Sequence, residues 1–240
     1  MRDALTHRQR LLGLACGLVT GFFAGLALWR LRQARCSPAV IYLDGDRAEP
    51  AGFDRRVYDL ASFRRALDDM FAHLDDLRAA TRSGRIGKAF AERIMLAVTQ
   101  VHRCQYCSFA HTRAALRAGV SQEEIRSLLA GDFHAAPQEE SVALIFAQHC
   151  AESEGHPTAE ARQYLVDTYG PDMAHDIRAY IRMIMIGNLL GNTFDAFLSR
   201  LAGRPAPGST VRDELGVLLG TVVLVPAGMI RRLRRRQQAI

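Results

Sequence analysis

Four residues in the middle of this 240-residue chain have the types and spacing of a redox site. Cys104 and Cys107 are separated by two residues. At the first turn of a helix that spacing brings two sulfurs within bonding reach. A helix N-terminus adds partial positive charge and free N–H groups, which stabilise a thiolate. A thiol that attacks a peroxide or a disulfide needs that stabilisation. His111 follows Cys107 by four residues, so it shares a helical face with it and can carry a proton to or from sulfur. Glu92 precedes Cys104 by twelve residues. If the chain turns near residues 101–103, Glu92 folds back and orients His111, directly or through water. The set then has a nucleophile, a base and an orienting group.

The elements that must hold these residues read as helices. Helical segments are expected at 59–81, 86–101, 104–118, 121–131, 138–153, 158–168 and 172–201, and no window sustains strand alternation. Gly119 reads as a C-terminal cap, and Ser121 with Glu124 as a capping box. Pro171-Asp172 opens the last of these helices, whose Ile177, Ile181, Ile184, Leu189 and Leu190 can fill a core. Residues 36–57 and 203–214 are rich in Pro, Gly and Asp and read as linkers. The expected fold class is an all-α domain over 58–203, after an N-terminal membrane anchor at 1–35 and before an apolar segment and basic tail at 204–240.

Charge supports that organisation. The net charge is +6, but residues 1–35 hold six Arg against one Asp, and residues 211–240 hold six Arg against one Asp and one Glu. The middle is therefore net acidic. A nucleic-acid partner would require a basic patch on the folded domain, so none is expected. Here the basic residues flank apolar runs, as in membrane proteins. Leu11–Trp29 is uncharged over 19 residues, which spans roughly 28 Å as a helix. Gly13, Gly17, Gly21 and Gly25 form a stripe suited to close helix approach in a bilayer. Trp29-Arg-Leu-Arg is a poor cleavage site, so the run reads as an uncleaved transmembrane anchor. Leu215–Ile230 is a second apolar run, followed by the Arg-rich stretch 231–236. It reads either as a second span or as an interfacial helix. If both runs span, the termini share a side and the domain lies outside the cytoplasm. If only the first spans, the domain can be cytoplasmic.

The stretch 91–125 resembles the core motif of the carboxymuconolactone decarboxylase and alkylhydroperoxidase D-like family. The family pattern is Glu, eleven residues, Cys-x-x-Cys, three residues, His. Glu92, Cys104, Cys107 and His111 fill it. Ala115-x-x-x-Gly-Val-Ser-x-Glu-Glu-Ile and the later Asn192-Thr-Phe-Asp195-Ala-Phe are also family-like. The resemblance implies an all-α domain, assembly into homotrimers or homohexamers, and peroxide reduction of the peroxiredoxin class without a cofactor. It implies a hydroperoxide substrate and a dithiol reductant, either a lipoyl protein or a thioredoxin-like one. Members that decarboxylate lactones lack the cysteine pair, so the pair favours the redox branch. One departure is Tyr106, which stands where the prototype has a His and removes a possible proton donor.

Other readings of the same residues are a zinc site from His102, Cys104, Cys107 and His111, and a structural disulfide. Structural zinc usually draws two ligand pairs from separated segments, which disfavours the first. At the level of function, the alternatives are a helical scaffold with an inactive cysteine pair and a thiol–disulfide oxidoreductase without peroxidase activity. Between the cysteines, Cys107 is the expected attacker because it is nearer His111; the reverse order is the alternative, since the exposed cysteine is the one an external reductant should meet.

Overall fold

The computed structural model describes residues 53–238. The expected transmembrane helix at 11–29 lies outside the described residues, as do Cys16 and Cys36. Within them the protein is all-helical, with no strand. The helices are α1 (Leu60–Ser83), α2 (Lys88–His102), α3 (Gln105–Arg117), α4 (Gln122–Leu129), α5 (Ser141–Glu152, led in by a 3₁₀ turn at Gln138–Glu140), α6 (Ala159–Leu201) and α7 (Val211–Gln238). The described residues up to Leu218 make one compact unit; Leu219 onward belongs to a second, whose described part is the rest of α7.

Local chemistry fixes most of the boundaries. Asp59 caps α1 by accepting from the Ser62 N–H at 2.6 Å, and Ser62 Oγ accepts in return from the Asp59 N–H at 3.1 Å. Thr158 caps α6 by accepting from the Ala161 N–H at 3.1 Å. Gly119, just past α3, has φ +90°, a conformation that a Cβ disfavours. Ser121 accepts from the Glu124 N–H at 3.1 Å, but the reciprocal half of the expected capping box does not form. The Glu124 carboxylate is taken by Arg93, whose Nε donates to it at 2.5 Å. The ion pair between two helices outcompetes the local bond. The separate helices expected at 158–168 and 172–201 are the two halves of α6, broken at Gly170 (φ 74°, ψ 163°). Pro171 follows the break, where its missing N–H costs nothing.

Helix α2 is the centre of the domain and packs on α3, α4, α5 and α6. Its Ile94, Leu96, Ala97, Val98 and Thr99 are all fully buried. A helix apolar on nearly every side is one surrounded by others. Leu128, Leu144, Leu165, Ile177, Ile181 and Ile184 close around it. Leu189 is buried as expected, whereas Leu190 is only partly so. Arg93 pins the outer edge of α2, reaching both Glu124 and, at 3.2 Å, Glu140. With that face held, the neighbouring Glu92 projects on a different side of the helix, toward α3.

The C-terminal apolar run is longer as a helix than its 16 uncharged residues suggest. Val211–Arg232 is long and apolar enough to cross a membrane. Its first turn belongs to the helical domain: Glu214 is fully buried and accepts from Arg200 at 2.7 and 2.9 Å. Farther along, Leu219 and Val223 are exposed.

Ile94→Ala should destabilise the domain by about 2–5 kcal/mol, since a void would open in the middle of α2. Leu116→Ala, at an exposed site, should change stability by about 0.5 kcal/mol or less. Equilibrium denaturation of the two variants checks this, and equal effects would contradict the central placing of α2.

Candidate functional site

The site is built at the α2–α3 junction. Arg103 ends α2 with φ 52°, a left-handed conformation uncommon for a residue bearing a Cβ. Its N–H donates to Thr99 O, and its guanidinium is held by Asp54 Oδ2 at 2.7 Å. One residue therefore reverses the chain. The next, Cys104, becomes the N-cap of α3, and its sulfur accepts from the Cys107 N–H at 3.3 Å. Cys104 is fully buried and Cys107 partly exposed; the two sulfurs are hydrogen-bonded at 2.8 Å, and both are free thiols.

The surroundings favour negative charge on Cys104. The hydrogen bond from Cys107 holds its thiol below the ordinary range despite burial, helped by the backbone N–H groups of Cys107 and Tyr106 and by the charge of Arg55. Cys107 moves the other way, raised first by that same hydrogen bond and then by burial and the charge on Cys104. Of the two sulfurs, the cap geometry favours negative charge on the inner one.

Glu92 and His111 also meet. Glu92 Oε2 lies 2.8 Å from His111 Nδ1, with both side chains partly buried. If Nδ1 carries the ring proton, Nε2 is left free to exchange one. The four residues singled out by spacing form two bonded pairs, the cysteines at the α2–α3 junction and Glu92 with His111 between the bodies of the same two helices. His102 does not join them in a metal-binding arrangement. Among the described residues no three His, Cys, Asp or Glu side chains converge to hold a metal. His102 is buried, and burial with the nearby charge of Arg56 pushes its pKa down to about 4, which keeps the ring neutral.

The wall behind the cysteines comes from α6, and sequence reasoning missed most of it. Asn188, Gly191, Asn192 and Asp195 follow one another at helical spacing and so share a face. Asn188 Oδ1 accepts from Thr99 Oγ1 at 3.2 Å. Asn192 Nδ2 donates to the His102 carbonyl at 2.8 Å and the Arg56 carbonyl at 3.1 Å. Asp195 Oδ1 accepts from Gln105 Nε2 at 2.5 Å and Tyr106 Oη at 3.2 Å. Gly191 faces the sulfurs. A Cβ there would lie 2.6 Å from Cys104 Sγ and 3.9 Å from Cys107 Sγ. A signal was present in the sequence: a small and polar stripe on a helix otherwise lined with Ile and Leu.

The end of the segment read as a linker also touches this wall. Arg55 is ion-paired with Asp195, and the Tyr58 N–H donates to Thr193 Oγ1 at 2.9 Å. Residues 53–58 thus run as a strap across the N-terminal end of α3 and the face of α6.

Gly191→Ala should cost about 1–3 kcal/mol, because the methyl must displace a buried sulfur. It should also slow oxidation of the cysteine pair by a disulfide reagent. Gly187→Ala is the control: a Cβ there meets nothing within 4 Å. It should be neutral or stabilising by up to about 1 kcal/mol. Denaturation midpoints that do not separate the two variants would refute the close approach.

Comparison with known proteins agrees with the motif. Residues 67–149 match the model of the carboxymuconolactone decarboxylase family. The matched span contains Glu92, both cysteines and His111 and ends before the α6 wall. No curated protein and no solved structure matches the chain. The cysteine pair therefore lies in a stretch, residues 67–149, that is similar to the carboxymuconolactone decarboxylase family.

Proposed function

We propose that this chain is a membrane-anchored, thiol-dependent peroxidase of the peroxiredoxin type, with Cys104, Cys107, His111 and Glu92 as its catalytic residues. The observation that carries the reading is a double pairing on α2 and α3: two thiols 2.8 Å apart at their junction, and one helical turn on along α3 a carboxylate–imidazole pair, also at 2.8 Å. An idle pair would not need a buried N-cap sulfur, a strained turn and a glycine cleared for it.

Cys107 is the attacking sulfur, because it is partly exposed and one helical turn from His111. As a hydroperoxide arrives, the Cys107 thiol passes its proton to the Cys104 thiolate. The Cys107 thiolate forms an S–O bond, the O–O bond breaks, and the departing alkoxide takes a proton from His111 and leaves as an alcohol. Glu92 stabilises the imidazolium that donates it. Cys104 sulfur then attacks the Cys107 sulfenic acid; the S–S bond forms, and hydroxide leaves with the Cys104 proton as water. Two electrons have passed from the thiols to the peroxide. A dithiol, on a lipoyl or thioredoxin-like protein, returns them by exchange at the exposed sulfur. Tyr106, which replaces a possible proton donor, is held on Asp195, so His111 acts as the proton donor in this scheme.

The anchor combines the uncharged run at 11–29 with the helix Val211–Arg232. Assembly into homotrimers or homohexamers is part of the same proposal and is what the resemblance to the family implies. Thiol–disulfide exchange without peroxide turnover is the second reading. It is favoured by the same asymmetry, one sulfur exposed and its partner buried behind it.

With the full chain in detergent and a dithiol supplied, hydroperoxide consumption should be lost in Cys104→Ser and in Cys107→Ser. It should fall by about 10²-fold or more in His111→Ala and Glu92→Gln. Retained turnover in the double Cys→Ser variant would overturn the proposal. The pH profile has a defined sign. A depressed thiol pKa keeps the thiolate present below the ordinary value of about 8.5. The rate should therefore reach its plateau before that pH and fall only as acid protonates the pair.

A further inference from the structure

The proposed reaction leaves one polar cluster beside the cysteines without a role. Asp195 is 8% exposed. Its two oxygens serve different elements: Oδ1 receives Gln105 and Tyr106 from the first turn of α3, and Oδ2 receives the Arg55 guanidinium from the strap. Gln105 and Tyr106 are the two residues between the cysteines. Asp195 follows Gly191, the residue against Cys104 Sγ, by one helical turn. Arg55 is itself held in place, with its guanidinium carbon 4.5 Å from the centre of the Phe53 ring. The Tyr106 ring packs on Phe194, next to Asp195, with centroids 5.7 Å apart.

We infer that Arg55 is a positioning residue for the dithiol: through Asp195 it fixes the two residues that space the cysteines, and it sets a permanent positive charge beside the buried sulfur. The inference rests on the redox reading of the pair. Without Arg55, Asp195 would be a largely buried carboxylate next to the thiols, and its charge would oppose thiolate formation. With Arg55 the wall is close to neutral, and its positive end adds to that of the α3 N-terminus. The titratable and charged groups on the elements around the pair also include His111 and Tyr106 on α3, Glu92, His102 and Arg103 along α2 and its end, Asp54 and Arg56 on the strap, and Tyr180 on α6. The charge of Arg55 is one of the influences that lower the Cys104 thiol, after its hydrogen bonds.

The test uses the full chain and the pH dependence of alkylation of the pair by iodoacetamide, with unchanged helical circular dichroism as a condition. Arg55→Gln keeps a donor for Asp195 and loses the charge. Its alkylation midpoint should move up, lowering the rate at pH 7 by about three- to tenfold, up to one unit of pKa. Arg55→Lys keeps the charge and should restore most of the parent rate. Asp195→Asn removes the opposing charge and should not raise the midpoint, which a simple loss of packing would do. A profile for Arg55→Gln that overlays the parent, or an equal upward shift in Arg55→Lys, overturns the inference. The readout is a difference between variant and parent in alkylation, so it stands or falls separately from peroxide turnover. A parent that fails to reduce peroxide while Arg55→Gln still shifts the midpoint would sink the peroxidase reading alone.

Discussion

Cys104 has to cap a helix and lie against another helix at the same time. Its sulfur closes the first turn of α3 by accepting from the Cys107 N–H, and the same sulfur fills the space over Gly191. Neither condition allows much latitude. A larger side chain at 191 would push the sulfur off the cap, and a chain that turned one residue later would carry it out of the wall. The left-handed Arg103 sets that turn, and Asp54 holds it. The distance between the sulfurs, the burial of one and the exposure of the other all follow from this contact.

The rest of the domain makes the contact rigid. Helix α2 is buried on nearly all sides and is pinned at its outer edge by the Arg93 fork to Glu124 and Glu140. It cannot rotate to suit its own residues, so Glu92 is delivered to His111 by packing elsewhere. On the far side, Asn192 joins the end of α2 to the strap by bonding the carbonyls of His102 and Arg56. A buried amide that satisfies two carbonyls from different segments is worth more for specificity than for stability. It sets the register of α6 against the junction, and with it the position of Gly191. The electrostatic outcome is an asymmetric pair, with negative charge favoured on a sulfur that solvent does not reach and disfavoured on its neighbour. At 2.8 Å the two thiols interact too strongly to titrate independently.

Much of this was legible in the sequence. The all-helical class, the helix boundaries to within a few residues and the proximity of Glu92, Cys104, Cys107 and His111 follow from local rules: 3.6-residue periodicity, caps and fixed spacing along neighbouring helices. The α6 wall was not, because its register against α3 is set by contacts some ninety residues apart, such as Gln105 with Asp195. Asn192 and Asp195 stood out as family-like residues without a role, and Gly191 did not stand out. A glycine inside a helix reads as a local cost until the sulfur opposite it is known. Arg55 was hidden for another reason: composition marks 36–57 as a linker, and only the partner of an exposed-looking Arg shows that it is tied down. Glu124 misled in the opposite sense, since its local capping pattern was correct in type but its carboxylate was claimed by Arg93.

The most direct test of the redox reading is the stoichiometry of a single turnover. Reduced full-length protein would be mixed with one equivalent of hydroperoxide and trapped with an alkylating agent, and its peptides mapped by mass spectrometry. One intramolecular Cys104–Cys107 disulfide is expected for each peroxide consumed, with Cys150 still alkylatable once the chain is unfolded. Peroxide left unconsumed, with both thiols still free, would contradict it.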